Sequence, residues 1–285
     1  MGNPLVSVWM ITYNHENYIA QALESVLMQK TNFDFEIVIG EDCSTDNTRN
    51  ILQDFEIKYP KVIHAIYHEK NVGALSNAYE FALPKCRGKY IACLEGDDYW
   101  TDPLKLQKQV DIMESNAEYS FCFHNAITYY VDRNAKEDFN RNLKSKIYKT
   151  KDLLSKRWFI PTASLLIRKV MMPEPFPKWF YNVCQGDYAL ELLLSTKGDF
   201  FYINEKMSVY QKNSINSLSL TGPKGKESLK KQLLLLTNFK KNNANKNIFA
   251  NNYAIAKVRY NFLKVFIYDS FPFVVTLKDK ILHGK

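Results

Sequence analysis

The feature that most limits the folds open to this chain is the rhythm of its N-terminal third. Leu5 to Thr12 (LVSVWMIT) is a near-continuous apolar run of strand length, as expected of a parallel strand buried on both faces. Ile19, Ala22, Leu23, Val26 and Leu27 then recur at helical spacing. Phe35–Gly40 reads as a second strand, and the polar cluster Ser44–Thr48 can N-cap a helix carrying Ile51, Leu52 and Phe55. Val62–Tyr67 reads as a third strand, Ala74–Leu83 as helical and Lys89–Leu94 as a fourth strand. Buried strands alternating with helices predict an α/β fold with a mostly parallel central sheet flanked by helices.

The second half is less regular. Leu104–Met113 reads as a helix, Tyr119–Phe123 and Ala126–Val131 as separate strands, and the lysine-rich stretch 132–150 as a loop. Ala163–Ile167 reads as a strand, Tyr188–Leu194 as a helix and Phe200–Tyr210 as a pair of short strands. Beyond Pro223 the spacing is helical, through Leu229, Leu233, Leu236 and Phe239 and then over Ile248–Tyr268. No internal repeat of fixed period is present.

Of the 285 residues, 46% are hydrophobic and 24% charged, which suits one large domain with an appendage and argues against intrinsic disorder. No apolar run approaches the ~20 residues that cross a bilayer. Met1–Leu5 lacks a signal peptide's basic-then-apolar pattern, and Val6 stands where a myristoylation motif wants Ser or Thr. The expectation is a soluble chain facing the cytosol. The five cysteines, Cys43, Cys86, Cys93, Cys122 and Cys184, form no C-x-x-C pair, so they are expected to be small buried hydrophobes. The charge is uneven. Residues 1–220 carry 25 Lys/Arg against 27 Asp/Glu, whereas residues 221–285 carry 13 against 3. The division expected is therefore a body over 1–220 and a basic helical extension over 221–285.

Three acidic signals fall in loops: Glu41-Asp42 after the second strand, Glu95-Gly96-Asp97-Asp98 after the fourth, and Gln185-Gly186-Asp187 ahead of a helix. Ligands of open α/β sheets bind outside the carboxyl ends of strands, where these loops can share one crevice. Three carboxylates in four residues repel one another and need a cation or several hydrogen bonds. With no zinc ligands in sight, a hard divalent ion, Mn²⁺ or Mg²⁺, fits them best. Glu41-Asp42 also fits simple turn chemistry, and Asp187 a helix N-cap.

In this order, Thr12-Tyr13-Asn14, Gly40-Glu41-Asp42-x-Ser44-Thr45-Asp46-x-Thr48 and Leu94-Glu95-Gly96-Asp97-Asp98-Tyr99-Trp100 resemble family 2 glycosyltransferases. These are inverting, nucleotide-sugar-dependent enzymes of the GT-A fold. The stretch 87–111 is similar to a form found in bacterial polysaccharide loci, and the similarity covers about residues 5–215. The resemblance implies that Thr12, Tyr13, Asn14 and Glu16 cradle the nucleotide while Asp42 hydrogen-bonds the base, usually uracil. Asn71-Val72-Gly73 would close its far side, and Glu95 and Gly96 would face the ribose or the metal's water shell. Asp97 would ligate Mn²⁺ or Mg²⁺, and Asp98 would contact the donor sugar or support the metal.

Gln185-Gly186-Asp187-Tyr188 resembles the family's G-D-W segment, whose Asp is the general base. A sugar hydroxyl is a poor nucleophile, so a base must take its proton as it attacks opposite the departing diphosphate, whose charge the metal stabilises. Single displacement needs no second carboxylate nucleophile. Tyr210-Gln211-Lys212-Asn213 departs from the family's usual Tyr-Arg-x-His: Gln211 removes a cation, and Asn213 is a weaker metal ligand than imidazole. Tyr188 in place of Trp reshapes the acceptor side. His124 fits an acceptor contact or a buried hydrogen-bonded histidine, and Trp158 a sugar platform or core filling.

The tail, residues 224–285, pairs leucines and aromatics with lysines. It suits either an anionic membrane surface or a helical pair packed on the domain with its lysines solvated. No nucleic-acid module motif is present. The expected function is transfer of a sugar from a nucleotide-diphosphate donor, UDP favoured, to a saccharide acceptor that is lipid-linked, in cell-surface polysaccharide synthesis. The alternative is a catalytically degenerate nucleotide-binding or scaffold protein of the same fold.

Overall fold

The structure, a computed structural model, describes residues 2–156, 158–183, 185–212, 225–243 and 247–270. The N-terminal half forms β1 (Val6–Thr12), α1 (Ile19–Leu27), β2 (Phe35–Glu41), α2 (Thr48–Lys58), β3 (Ile63–Tyr67), α3 (Ala74–Ser76) and β4 (Tyr90–Glu95). Beyond Ser76 the α3 chain continues as a π-turn over Asn77–Ala82 and a 3₁₀ turn over Leu83–Lys85. Then follow β5 (Tyr99–Trp100), α4 (Lys105–Ser115), β6 (Tyr119–Tyr130), β7 (Ala135–Asp138), β8 (Lys146–Tyr148), α5 (Thr150–Lys156), β9 (Leu166–Arg168), α6 (Gly186–Ser195) and β10 (Asp199–Lys212). Two helices close the described chain, α7 (Gly225–Asn242) and α8 (Ile248–Ser270).

One sheet runs in the order β3-β2-β1-β4-β9-β6-β10-β5, with β7 on β6 and β8 on β10. β1 pairs in parallel with both β2 and β4, and β2 with β3. β9 lies antiparallel between β4 and β6, while β6 and β10 are again parallel. The mostly parallel sheet expected from the sequence is thus present. Alternate residues of each strand feed opposite layers. Val8, Met10, Ile37, Ile39 and Leu94 pack with α1, α2 and α4. Trp9, Val38, Ile91, Cys93 and Phe121 pack on the other face with α5, α6 and the C-terminal helices. Cys86, Cys93 and Cys122 are buried thiols, whereas Cys43, in the loop after β2, is only half-buried, against the expectation for all five; Cys184 lies outside the described residues.

Four local expectations are corrected. β6 is one strand through His124 and Asn125, because the Asn125 side chain is tied inside the chain, its Oδ1 accepting from the N–H of Ala126 and of Asn140. β10 is likewise one strand, shifted in register between Ile203 and Ser208 around the polar Asn204-Glu205-Lys206. The stretch 132–150 contains β7 and β8 rather than loop alone. Thr162–Ser164 is a 3₁₀ turn, leaving only Leu166–Arg168 as strand.

α7 and α8 pack on the body, where Leu235, Leu236, Phe239, Ala254 and Val258 are almost fully buried in the same layer as Trp9 and Val38. Among the described residues, no helix is long and apolar enough to cross a membrane.

Candidate functional site

Register brings the first two acidic signals together. Thr12 at the end of β1 lies opposite Glu41 of β2, and Ile11 opposite Glu95 of β4. The loops beyond are tied across the gap: the N–H of Asp42 donates to the Thr12 carbonyl at 3.1 Å and that of Gly96 to the Ile11 carbonyl at 3.0 Å. Gly96 has no room for a side chain, since a Cβ there would lie 2.6 Å from Thr12 Oγ1 and 2.8 Å from His15 Nδ1.

The first loop is zipped to the loop after β2. Asn14, at φ 54°, accepts from the Thr45 N–H at 2.8 Å, and Glu16 accepts from the Asn47 N–H at 3.0 Å. Asn14 and Glu16 therefore shape the loop pair, and Tyr13, 37% exposed, presents its ring outward. The Asp42 carboxylate is buried and accepts from the N–H of Val72 at 2.7 Å and of Gly73 at 3.0 Å. It fixes the Asn71–Gly73 loop with both oxygens, and Gly73 meets it at φ 85°. Direct base contact by Asp42, as expected from the sequence, competes with these amides.

The second loop is held from β10. The Gln211 N–H donates to Asp98 Oδ1 at 2.8 Å, and the Gln211 side-chain amide donates to the Asp97 carbonyl at 2.5 Å. Burial, then Asp97 and Asp187, push the Glu95 carboxyl up to about 8. Burial, then Asp97 and Glu95, push Asp98 far above the carboxylate range. His15 Nε2 lies 4.0 Å from Asp97 Oδ2, and burial lowers its pKa against the pull of Asp97 and Asp46.

The third signal faces the same crevice. Asp187, in the first turn of α6, is half-buried and feels burial first, which raises its pKa. Its Oδ2 accepts a long 3.5 Å bond from Thr162 Oγ1, its Oδ1 accepts from the Tyr188 N–H at 2.8 Å, and the nearby Trp158 side chain pulls its pKa back down. The Tyr210 phenol, raised chiefly by burial, feels Asp98, Glu95, Asp97 and Asp187 together. The second and third acidic loops thus lie near one another around Tyr210, and the first is tied to the end of β1 beside the second.

Two residues named for the acceptor side are buried. His124 is fully buried, its Nδ1 2.7 Å from the Asn125 carbonyl, and burial holds it neutral. Tyr188 is buried and donates its hydroxyl to the Leu153 carbonyl at 3.1 Å. Trp158 is 60% exposed and stands at the rim beside Asp187. Asn213 lies outside the described residues. The sequence does not single out His15 or Glu191, and it names Gln211 without its clamp. His15 is a lone histidine without a motif, and the clamp made by Gln211 depends on β10 passing behind the loop. Glu191, one turn along α6 from Asp187, is fully buried; neither of its oxygens has a hydrogen-bond partner among the described residues, and burial and Asp187 raise its pKa.

No three His, Cys, Asp or Glu side chains among the described residues form a ready-made metal cage. The chemistry still fits a hard divalent cation. Glu95 and Asp98 are pushed toward protonation by burial and mutual repulsion, which a cation relieves. Mg²⁺ and Mn²⁺ characteristically take one or two carboxylates and complete their shell with water and substrate phosphate.

The fold and site together define the GT-A class. Staphylococcus aureus TarS 1–349 in complex with UDP-GlcNAc superposes with a TM-score of 0.66 at 18% identity, over 93% of this chain and 73% of that one. The mannosyltransferase PcManGT of Pyrobaculum calidifontis in complex with GDP-Man and Mn²⁺ gives a TM-score of 0.61 at 13% identity, over 100% of this chain and 81% of that one. The sequence adds the family. The glycosyl transferase family 2 signature matches residues 7–172, and the chain belongs to that family; Asp187 lies beyond the matched segment. An uncharacterized protein of Mycobacterium tuberculosis is 35% identical over 209 residues, 73% of this chain and 59% of its own length. TuaG of Bacillus subtilis, named for teichuronic acid biosynthesis, is 44% identical over 119 residues, 41% of this chain and 46% of that protein. This chain therefore spans about half of the length of these relatives.

Proposed function

We propose that the protein is an inverting glycosyltransferase that moves a sugar from a nucleotide-diphosphate donor, UDP favoured, to a saccharide acceptor in cell-surface polysaccharide synthesis. The observation carrying this reading is the convergence of Glu95, Asp97 and Asp98 with Asp187 on one cleft, where Tyr210 feels all four charges. The nucleotide sits over Thr12 and Tyr13, walled by the Asn71–Gly73 loop that Asp42 fixes. Asp97 holds the divalent ion, which when bound offsets the negative charge that grows on the leaving diphosphate. Asp98, clamped by Gln211, lines the donor-sugar side.

Asp187 accepts the proton of the acceptor hydroxyl as that oxygen attacks the anomeric carbon. Burial favours its neutral form, so it is a stronger base than a solvated carboxylate. Trp158 at the rim gives the acceptor ring an exposed apolar face to stack on. Similarity to TuaG supports the polysaccharide setting, and the TarS complex supports a UDP-sugar donor.

The test is calorimetric titration with UDP, GDP, CMP and dTDP, each with and without Mn²⁺. One diphosphate binding tightly, and more tightly with metal, supports the reading. Binding unaffected by metal removes the role given to Asp97, and absence of binding removes the function.

A further inference from the structure

α8 is apolar on two opposite sides, and among the described residues only one of them is covered. Asn251, Ala254, Ile255 and Val258 face the body and are buried. On the other side Phe249, Tyr253, Ala256, Tyr260 and Leu263 recur at spacings of four and three, one stripe along the helix. Phe249 is 88% exposed, Tyr253 and Tyr260 58%, and Leu263 53%. A run of large side chains of this kind on one solvent-facing stripe marks an interaction site rather than ordinary surface.

Charge identifies the partner. Lys257 flanks the stripe on one side. On the other, a groove between α7 and α8 is lined by Thr237, Lys240, Asn252, Ala256 and Arg259. Between residues 225 and 263 Glu227 is the single acidic residue in the sequence, and it pairs with Lys231 at 3.4 Å. A second copy would bring the same cationic surface against itself, so self-association through this face is opposed by like charge. An apolar stripe with aromatic members, edged by cations, matches the boundary of an anionic bilayer: the rings enter the headgroup layer and the cations meet lipid phosphate.

We infer that the outer face of α8, with the Lys240–Arg259 groove beside it, docks the protein on an anionic lipid surface. This narrows the membrane reading of the whole tail to one helix face, and it stands apart from the catalytic reading because no site residue takes part. α5, which packs against both α8 and α6, links this face to the helix that carries Asp187. A docked protein thus keeps its acceptor side in fixed relation to the bilayer.

The experiment is co-sedimentation of the full chain with vesicles of phosphatidylcholine alone and of phosphatidylcholine mixed with phosphatidylglycerol. The expected result is binding to the mixed vesicles that weakens as salt is raised. The triple variant Phe249→Ser, Tyr253→Ser, Tyr260→Ser loses at least about tenfold in binding, because several buried rings contribute together. The double variant Lys240→Glu, Arg259→Glu loses the preference for anionic lipid. Both leave nucleotide affinity unchanged, which shows that they fold and separates this inference from the proposed activity. Absence of vesicle binding overturns the inference, as does equal binding to both vesicle types. A dimer in solution that the triple variant dissolves also overturns it, and assigns the face to a second copy.

Discussion

Gln211 holds Asp98 from behind: its backbone N–H donates to Asp98 Oδ1 at 2.8 Å while its side-chain amide reaches the neighbouring Asp97 carbonyl at 2.5 Å. The carboxylate loop after β4 is therefore positioned by the last strand of the sheet, and Gln211 serves as a neutral clamp. Where the family resemblance led to an expected arginine, this chain holds the loop by backbone geometry and an amide.

Replacing Gln211 by Ala keeps the N–H bond to Asp98 and deletes the bond to the Asp97 carbonyl. One such hydrogen bond is worth about 1 kcal/mol, so donor affinity in the presence of metal should fall about fivefold. Titration of Gln211→Ala with nucleotide and Mn²⁺ checks this; an unchanged dissociation constant would mean that the loop does not depend on the clamp.

The Glu95 carboxyl, held up to about 8 in the protein alone, makes metal binding pH-dependent. Cation binding favours the ionised carboxylate and so competes with the proton. Mn²⁺ affinity should rise as pH increases toward about 8, with proton release on binding. Calorimetry in buffers of different ionisation enthalpy measures both.

Lys105 offers a stability test away from the site. Its Nζ is fully buried 3.9 Å from the Trp100 ring centroid, without a hydrogen-bond partner among the described residues, and burial lowers its pKa from 10.5 to about 7. Below about 7 the amine is charged in both folded and unfolded chains, and the full penalty of charging it in the core applies. Between about 7 and 10.5 the unfolded chain binds more protons, so this residue's contribution makes stability rise with pH. Lys105→Met should stabilise the fold by ~1–4 kcal/mol at or below neutral pH, the gain shrinking as pH rises. Urea denaturation across this range measures it.

The sequence made the site-bearing half of the fold legible for a physical reason. β1, β2 and β4 are buried on both faces, so each is an apolar run whose end is marked by the polar residue that follows, and Glu41 and Glu95 stand at those ends. β7 and β8 were invisible because Ala135–Asp138 and Lys146–Tyr148 carry the polar residues of exposed strands, which periodicity reads as loop. His124 left two readings open in the sequence, and its place in the middle of β6 gives it the environment of the buried, hydrogen-bonded one. Trp158 and Asp187 were found separately. Their proximity depends on the approach of two segments that no spacing in the sequence specifies.

The most direct test of the account is transfer by Asp187→Asn, measured in single turnovers with the nucleotide-sugar whose nucleotide binds most tightly and a saccharide acceptor. Loss of a positioned general base predicts a fall of ~10²–10⁴-fold in the chemical step, with donor affinity unchanged. Transfer at the wild-type rate by Asp187→Asn would contradict the assignment of the base and with it the mechanism.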